Sequence, residues 1–129
     1  MKKITLHAAA LALALTATAA RADVSIIDNN QKITVDCAKD RMVNIVGNKA
    51  TVTLKGTCEG VNISGNKASV TGSATLVNVS GNDNTVDLDA ADGVNVSGND
   101  NTVSYRKPVK AKSTRVTNSG NGNKISRTK

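Results

Sequence analysis

The segments VNVSGNDNTV at 77–86 and VNVSGNDNTV at 94–103 are identical, and they decide how this chain folds. Related copies share the central glycine and the apolar residues on either side of it. They are VNIVGNKATV at 43–52, VNISGNKASV at 61–70, VTNSGNGNKI at 116–125, and a weaker copy, VSIIDNNQKI at 24–33, with Asp28 in place of the glycine. A period of about 17 residues is shorter than the common helical repeats and predicts the coils of a β-solenoid.

Apolar and polar residues alternate on both sides of the glycine in each copy. Val77 and Val79 precede Gly81, and Val86 and Leu88 follow it. A period of two is typical of a strand with one buried face, and β-branched residues favour strands. We therefore expect short strands that stack in parallel, with these residues inside and the residue between each pair facing solvent. The predicted fold is all-β: a small single-domain β-solenoid (parallel β-helix) of about six coils.

The centre of each copy predicts a sharp turn and a column of amides. Glycine adopts the positive φ that such a turn requires, and asparagine tolerates it better than other residues. Equivalent asparagines on successive coils would lie about 4.8 Å apart, so their amides can form a hydrogen-bonded ladder. We favour this structural role over a ligand site. The predicted turn ladder comprises Gly47, Asn48, Gly65, Asn66, Gly81, Asn82, Gly98 and Asn99.

The beginning of the chain has the layout of a secretory signal peptide. Lys2 and Lys3 precede an uncharged run rich in alanine and leucine, which ends in the sequence Ala-Arg-Ala at 20–22. This layout predicts a signal peptide over 1–22 with a helical apolar part, cleaved after Ala22. We expect an exported bacterial protein, periplasmic or secreted, with no transmembrane segment after cleavage.

The two cysteines predict one disulfide bond. Cys37 and Cys58 are the only cysteines, and an exported protein with two of them is best interpreted as having one bridge. A metal site is the alternative. Two thiolates would lack further ligands there, because His7, the only histidine, lies in the predicted signal peptide.

Charge is divided unevenly along the chain. The formal net charge is +7, and it falls to +4 when the predicted signal peptide is removed. Residues 104–129 carry eight bases and no acid, whereas residues 23–103 carry six bases and ten acids. We expect an acidic solenoid over 23–105, followed by a basic C-terminal coil, cap or tail over 106–129. The candidate polyanion-binding residues are Arg106, Lys107, Lys110, Lys112 and Arg115.

The inventory of chemical groups predicts neither catalysis nor a metal or cofactor site. Without a histidine beyond position 7, Ser-His-Asp and Cys-His arrangements are excluded from the mature chain. Asp83 and Asp100 hold equivalent positions about 5 Å apart, the spacing of a retaining glycosidase pair, but no groove is predicted around them. The segment DLDAADG at 87–93 lacks the later ligands of a calcium loop. Only Tyr105 could stack on a base, so nucleic acid is not the expected partner.

The chain resembles the exported bacterial family called domain of unknown function 3060, which has tandem V-x-V-x-G-x-x-N-x-V units. The resemblance spans about residues 35–105 and includes the cysteines, in VDCAKDRMVNIVGN at 35–48 and LKGTCEGVNISGN at 54–66. It implies a small β-solenoid and brings no active site. The last copy departs from the pattern, with Asn118 and Arg127 at core positions.

We therefore expect an exported, non-catalytic binding module, monomeric, whose partner is an unknown protein or an envelope polyanion. An immunity or inhibitor protein would be one form of it. The first alternative is a structural envelope or surface protein that assembles from many copies. The second is a carbohydrate-active enzyme that uses the two aspartates described above.

Overall fold

A computed structural model describes residues 22–129 of the chain, and ten strands account for most of them. The strands are β1 (Ala22–Ile26), β2 (Lys32–Asp36), β3 (Asp40–Ile45), β4 (Thr51–Ile63), β5 (Ser69–Val79), β6 (Thr85–Ala90), β7 (Gly93–Val96), β8 (Thr102–Lys107), β9 (Arg115–Asn118) and β10 (Lys124–Arg127). The described residues contain no helix. All recorded strand pairs are parallel, as a coiled chain with one sense of rotation requires.

The chain winds into about six turns, which confirms the prediction of a parallel β-solenoid. One side of the solenoid stacks the V-x-V strands that precede each glycine, from β1 through β3 to β9. The other side stacks the strands that follow each glycine, from β2 to β10. Equivalent residues of successive copies pair directly, so the sequence repeat is also the register of the sheet.

The core is a narrow stack of aliphatic side chains. Val43 and Ile45 are fully buried, and Val52 and Leu54 on the opposite side of the same coil are buried as well. Buried valine, isoleucine and leucine residues occupy the inward positions of the next three coils, except that Gly72 stands at the position of Leu54 in the third coil and Tyr105 stands there in the fifth. Tyr105, the only Tyr, Phe or Trp residue in the sequence, lies at the edge of this stack and is half-buried.

The central glycines serve a different purpose from the one expected. They do not have positive φ angles, so that prediction is wrong. A Cβ atom on Gly65 would overlap the carbonyl oxygen of Gly47 in the preceding coil. The same overlap recurs at Gly81, Gly98 and Gly120. Glycine is required here because successive coils approach too closely for any side chain.

The left-handed conformation lies two residues after each glycine instead. Lys49, Lys67, Asp83 and Asp100 have φ angles of 56°, 56°, 56° and 54°. L-residues with side chains adopt this region rarely, although Asn and Asp do so more often than others. All four are exposed, so their side chains leave the turn without steric conflict.

An asparagine ladder runs along this turn, and its members are exposed rather than buried. Asn66 donates hydrogen bonds from its backbone N and its Nδ2 to Oδ1 of Asn48, at 3.0 and 3.1 Å. Asn82 and Asn99 repeat this arrangement on the following coils. The ladder also reaches Asn29 in the first coil. Turn amides that stacking leaves without a backbone partner thus find a side-chain acceptor.

A second asparagine ladder lies on the outer face of the V-x-V strands. Asn62, Asn78 and Asn95 each donate from Nδ2 to Oδ1 of the asparagine one coil earlier, at 2.8 to 2.9 Å, beginning from Asn44. These side chains are half-buried, whereas the sequence pattern predicts full exposure at this position.

The disulfide bond between Cys37 and Cys58 is present, which confirms that prediction. Cys37 follows β2 and Cys58 lies within β4, so the bond joins the first coil to the second. Both residues are buried in the aliphatic core. The bond is compatible with a protein outside the cytoplasm.

The predicted signal peptide lies outside the described residues, apart from Ala22, which begins β1. Among residues 22–129, no helix is long and apolar enough to cross a membrane. At the other end, residues 106–129 form a last coil, whose β9 pairs with β7 and whose β10 pairs with β8.

Candidate functional site

The last coil carries a loop that earlier coils lack. Gly98 and Gly120 are 22 residues apart, compared with 16 to 18 for the preceding glycine pairs, and the additional residues form the 108–114 loop between β8 and β9. The carboxylate of Asp92 fixes this loop, because its Oδ1 accepts hydrogen bonds from the backbone N of Val109 at 2.7 Å, Lys110 at 3.0 Å and Ala111 at 3.1 Å.

These contacts also lower the pKa of Asp92. The backbone N–H groups, that of Ala111 above all, hold the pKa of this carboxyl below its ordinary value. They do so by stabilising the ionised form. Two further contacts hold the C-terminal end of the loop: Ala91 O accepts from Thr114 Oγ1 at 2.7 Å, and Asp92 O accepts from Arg115 N at 2.8 Å. The loop therefore has a fixed position on the solenoid.

Four of the five predicted polyanion-binding residues project from this loop and its flanks. Lys107, Lys110, Lys112 and Arg115 are exposed, and none forms an ion pair with another residue of the described part of the chain. We call these four residues the cationic loop cluster.

Arg106 has a different role from the other four residues. Its Nη1 lies 3.2 Å from Asp87 Oδ1 and 3.0 Å from Asp89 Oδ1, across the boundary between two coils. A hydrogen bond from Ser104, together with Arg106, lowers the pKa of Asp87. Arg106 thus pairs with two acids of the solenoid body, unlike the other four candidate residues.

Three surface cavities lie against the last coil. The largest, about 520 Å³, is a groove between Leu76 and Arg115 on the outer face of β7 and β9. A second, of about 500 Å³, is lined by Arg106, Arg127, Thr128 and Lys129. A third, of about 110 Å³, lies between Tyr105 and Lys112. Each cavity therefore contains at least one cationic side chain.

The two aspartates of the hypothetical glycosidase pair lie elsewhere. Asp83 and Asp100 occupy exposed left-handed turn positions on adjacent coils, and neither lines any of these cavities. Within residues 22–129, no group of three or more His, Cys, Asp or Glu side chains could hold a metal ion. The acids that could have formed one, such as Asp87 and Asp92, are occupied by Arg106 and by the loop backbone.

Two buried asparagines were not predicted from the sequence. Asn84 and Asn101 are 1% and 0% exposed, and their Nδ2 atoms donate to Gly65 O and Gly81 O at 3.0 and 2.9 Å. Their Oδ1 atoms accept backbone N–H groups from the preceding coil. Earlier copies have Ala50 and Ala68 at the position of these asparagines. A small apolar residue at that position was the one indication in the sequence that the asparagines are buried.

A comparison with known families matches part of this chain. Residues 64–122 match the family described as protein of unknown function (DUF3060). This confirms the resemblance found in the repeat. The DUF3060 region begins in the third coil and includes the 108–114 loop and part of the last coil, whereas the sequence pattern indicated residues 35–105. Both cysteines lie outside the DUF3060 region. Searches of curated proteins and of solved structures found no match.

Proposed function

We propose that this chain is an exported, non-catalytic binding module whose last coil holds an envelope polyanion, in the periplasm or outside the cell. The observation that carries the proposal is the cationic loop cluster. Lys107, Lys110, Lys112 and Arg115 lie on the 108–114 loop and its flanks and form no ion pair within residues 22–129, although the charge of Lys110 helps to lower the pKa of Asp92. Like charges on one short segment repel one another until an anion neutralises them.

The fixed loop strengthens this proposal. Asp92 holds three consecutive backbone N–H groups of the loop, so the cations start from an ordered backbone. On binding a polyanion, an ordered loop loses less conformational entropy than a disordered tail would, because the tail would have to become ordered first. Export is supported by the predicted signal peptide and by the Cys37–Cys58 bond.

A non-catalytic role is supported by the chemistry of the cavities. Their linings contain hydroxyl, amide and cationic groups, and the single carboxylate among them, Asp92, is engaged by the loop backbone. Tyr105 and Lys112, which could otherwise exchange a proton, line only the third cavity, whose volume of about 110 Å³ is below the range of small-ligand sites.

The ends of the solenoid support a monomer over an assembled fibre. Asp28 takes the glycine position in the first coil, so its Cβ would collide with the carbonyl oxygen of any coil stacked below it in the same register. At the other end, Asn118 and Arg127 replace core residues and are exposed. A further coil would bury the Arg127 charge without a partner, which is costly.

The proposal is tested by binding to lipid vesicles. We expect the purified chain to bind phosphatidylglycerol vesicles at low salt and to leave phosphatidylcholine vesicles unbound. The variant K107Q/K110Q/K112Q/R115Q should bind at least ~10-fold more weakly, because each basic residue near an anionic surface contributes about 1 kcal/mol. Its salt dependence should also be shallower.

The matched control removes four lysines from the solenoid body. Lys32, Lys39, Lys49 and Lys67 are exposed, so K32Q/K39Q/K49Q/K67Q changes the net charge by the same amount. We expect it to bind within about 3-fold of the unmodified chain. Equal weakening of vesicle binding in the two variants would contradict the proposal. So would a result in which the unmodified chain binds neither phosphatidylglycerol nor lipopolysaccharide.

A further inference from the structure

The 520 Å³ groove combines several unused binding groups on one surface. Its floor is Gly93 and Asn95 of β7, one side is Leu76 of β5, and the opposite side is Arg115 of β9 together with the 108–114 loop. A volume of this size falls within the range of small-ligand sites, about 300–1,000 Å³. We call it the Leu76–Arg115 groove.

Gly93 leaves space at the floor of the groove because it has no side chain. A Cβ atom on Gly93 would lie 2.8 Å from Leu76 Cδ1, so the leucine side chain extends across the glycine. Leu76 is nonetheless 41% exposed, which is unusual for a leucine beside a well-packed core. The groove thus offers an apolar contact that nothing in the described part of the chain covers.

The outer asparagine ladder ends inside the groove. Asn95 donates from Nδ2 to Asn78 Oδ1 at 2.9 Å, but Thr117 follows it in the last coil, and no group of the described residues donates to Asn95 Oδ1. That oxygen is open to solvent, because the described residues include no buried side-chain oxygen without a partner. It is therefore available to an N–H group of a ligand.

Arg115 supplies the positive charge. Its backbone N is fixed by Asp92 O at 2.8 Å, while its guanidinium has no ion pair within residues 22–129. Asp92 also lines the groove, but its carboxylate is occupied by the three loop N–H groups. A guanidinium with no anionic partner is well suited to two parallel hydrogen bonds with a carboxylate.

We propose that the Leu76–Arg115 groove binds the C-terminal residue of a peptide. Arg115 holds the α-carboxylate, Asn95 Oδ1 accepts the N–H of the same residue, and Leu76 contacts an apolar side chain. This inference rests on the proposed role as a binding module and adds a ligand class to it. It concerns one carboxylate in a groove, whereas the polyanion requires the whole cationic loop cluster.

The groups of the groove favour this ligand over a simple anion. An inorganic anion would use Arg115 alone and leave the apolar surface of Leu76 in water. A uronic acid also carries a carboxylate, but it presents hydroxyl groups rather than an apolar side chain to Leu76. An N-acyl amino acid with an aliphatic side chain matches all three groups.

The experiment is a titration followed by NMR amide shifts of the isotope-labelled chain. The ligands are N-acetyl-glycyl-leucine, its C-terminal amide, free phosphate and glucuronate. We expect the peptide acid to shift amides of Gly93, Asn95 and Arg115, and the amide form to bind at least ~10-fold more weakly because the charge-assisted bonds are lost. Stronger binding of glucuronate or phosphate than of the peptide acid would overturn the proposal.

Two variant pairs locate the site. R115Q should weaken binding of the peptide acid at least ~10-fold, whereas K124Q, on the opposite strand stack, should leave it within about 2-fold. L76S should weaken binding several-fold, whereas V46S, which removes another exposed apolar side chain outside the groove, should not. Unchanged binding in either R115Q or L76S, with amide spectra that show a folded chain, would exclude the groove.

The two proposals fail separately. Binding to phosphatidylglycerol depends on several charges and falls steeply with salt. The affinity of a single carboxylate contact in a groove should change only about 2-fold between about 0.1 and about 0.5 M salt. Equal affinity for the peptide acid and its amide would refute the groove and leave vesicle binding intact. Loss of vesicle binding with persistent peptide shifts would refute only the polyanion.

Discussion

Asn66 donates two hydrogen bonds to the Oδ1 atom of Asn48, one from its backbone and one from its side chain. The two residues belong to consecutive coils and are 18 positions apart in the sequence. One side-chain oxygen therefore satisfies a turn N–H and fixes the register of the next coil. Asn48, Asn82 and Asn99 make the same pair of bonds, and Asn121 makes the backbone bond alone, so the geometry is set locally, coil by coil.

The close approach of the coils at the glycine turns predicts a large effect of one methyl group. In Gly81→Ala the new Cβ would overlap the carbonyl oxygen of Gly65, which is backbone and cannot move aside. We expect the free energy of unfolding to fall by about 3 kcal/mol, measured by urea denaturation. Gly60→Ala is the control, because its Cβ would meet the flexible end of Met42, and it should cost less than about 1 kcal/mol.

The buried and the exposed asparagines predict losses of stability that differ in size. Asn101→Ala removes the partners of Asn84 N and Gly81 O in a buried place, so we expect a loss of about 2–4 kcal/mol in the free energy of unfolding. Asn99→Ala removes ladder bonds that water can replace, and we expect a loss of about 1 kcal/mol or less. Similar losses in the two variants would show that burial is not the deciding factor.

The disulfide bond predicts a redox-dependent stability. Cys37 and Cys58 close a loop with a sequence separation of 21, and we expect its removal in C37A/C58A to lower the free energy of unfolding by about 3 kcal/mol. Reduction of the unmodified chain should shift its urea midpoint in the same direction. Two reactive thiols in protein isolated from the periplasm would contradict a bridge in the native chain.

The loop contacts of Asp92 predict a transition at low pH. The folded pKa of this carboxyl is lowered, so the stabilisation of the loop is complete above the ordinary value of about 3.9 and is lost as the pH falls through the lower folded value. The amide NMR shifts of Val109, Lys110 and Ala111 should report a midpoint below about 3.9. Asp92→Asn should abolish this titration, and a midpoint above that value would contradict the account.

The ends of the solenoid predict that assembly can be engineered. Asp28→Gly removes the Cβ that blocks a coil below the first one, and N118V/R127V restores apolar residues to the last coil. We expect the triple variant to form concentration-dependent head-to-tail oligomers in analytical ultracentrifugation, while the unmodified chain sediments as a monomer. Oligomers of the unmodified chain would show that these residues do not block stacking.

The repeat predicted the strands because Val77, Val79 and Val86 alternate with polar residues at the spacing of a half-buried strand. The repeat did not predict why the turn needs glycine. Glycine is needed because successive coils approach closely there, and the distance between coils depends on how they stack rather than on the sequence of one copy. Asn30 and Gly122, at the same position as Lys49, were the residues that indicated a left-handed turn there.

The candidate site was only partly predictable, for a related reason. A run of bases without acids indicated the cationic loop cluster directly. Two other features were not predictable: the hydrogen bonds by which Asp92 holds the loop, and the groove between Leu76 and Arg115. Both bring together residues from different coils. Because the extra residues of the last coil interrupt the repeat, no periodic argument could place them beside the earlier coils.

The asparagine ladder of the turn and the one on the outer face of the V-x-V strands together give the solenoid a dipole along its axis. In each ladder Oδ1 points toward the next coil and Nδ2 toward the previous one. The amide dipoles therefore add along the axis, with the negative end at the last coil, as the peptide dipoles of a helix do. The eight bases of residues 104–129 gather at that negative end, and four acids against two lysines lie in residues 22–40 at the positive end. The uneven distribution of charged residues thus compensates the axial dipole, with basic residues at its negative end and an excess of acidic residues at its positive end.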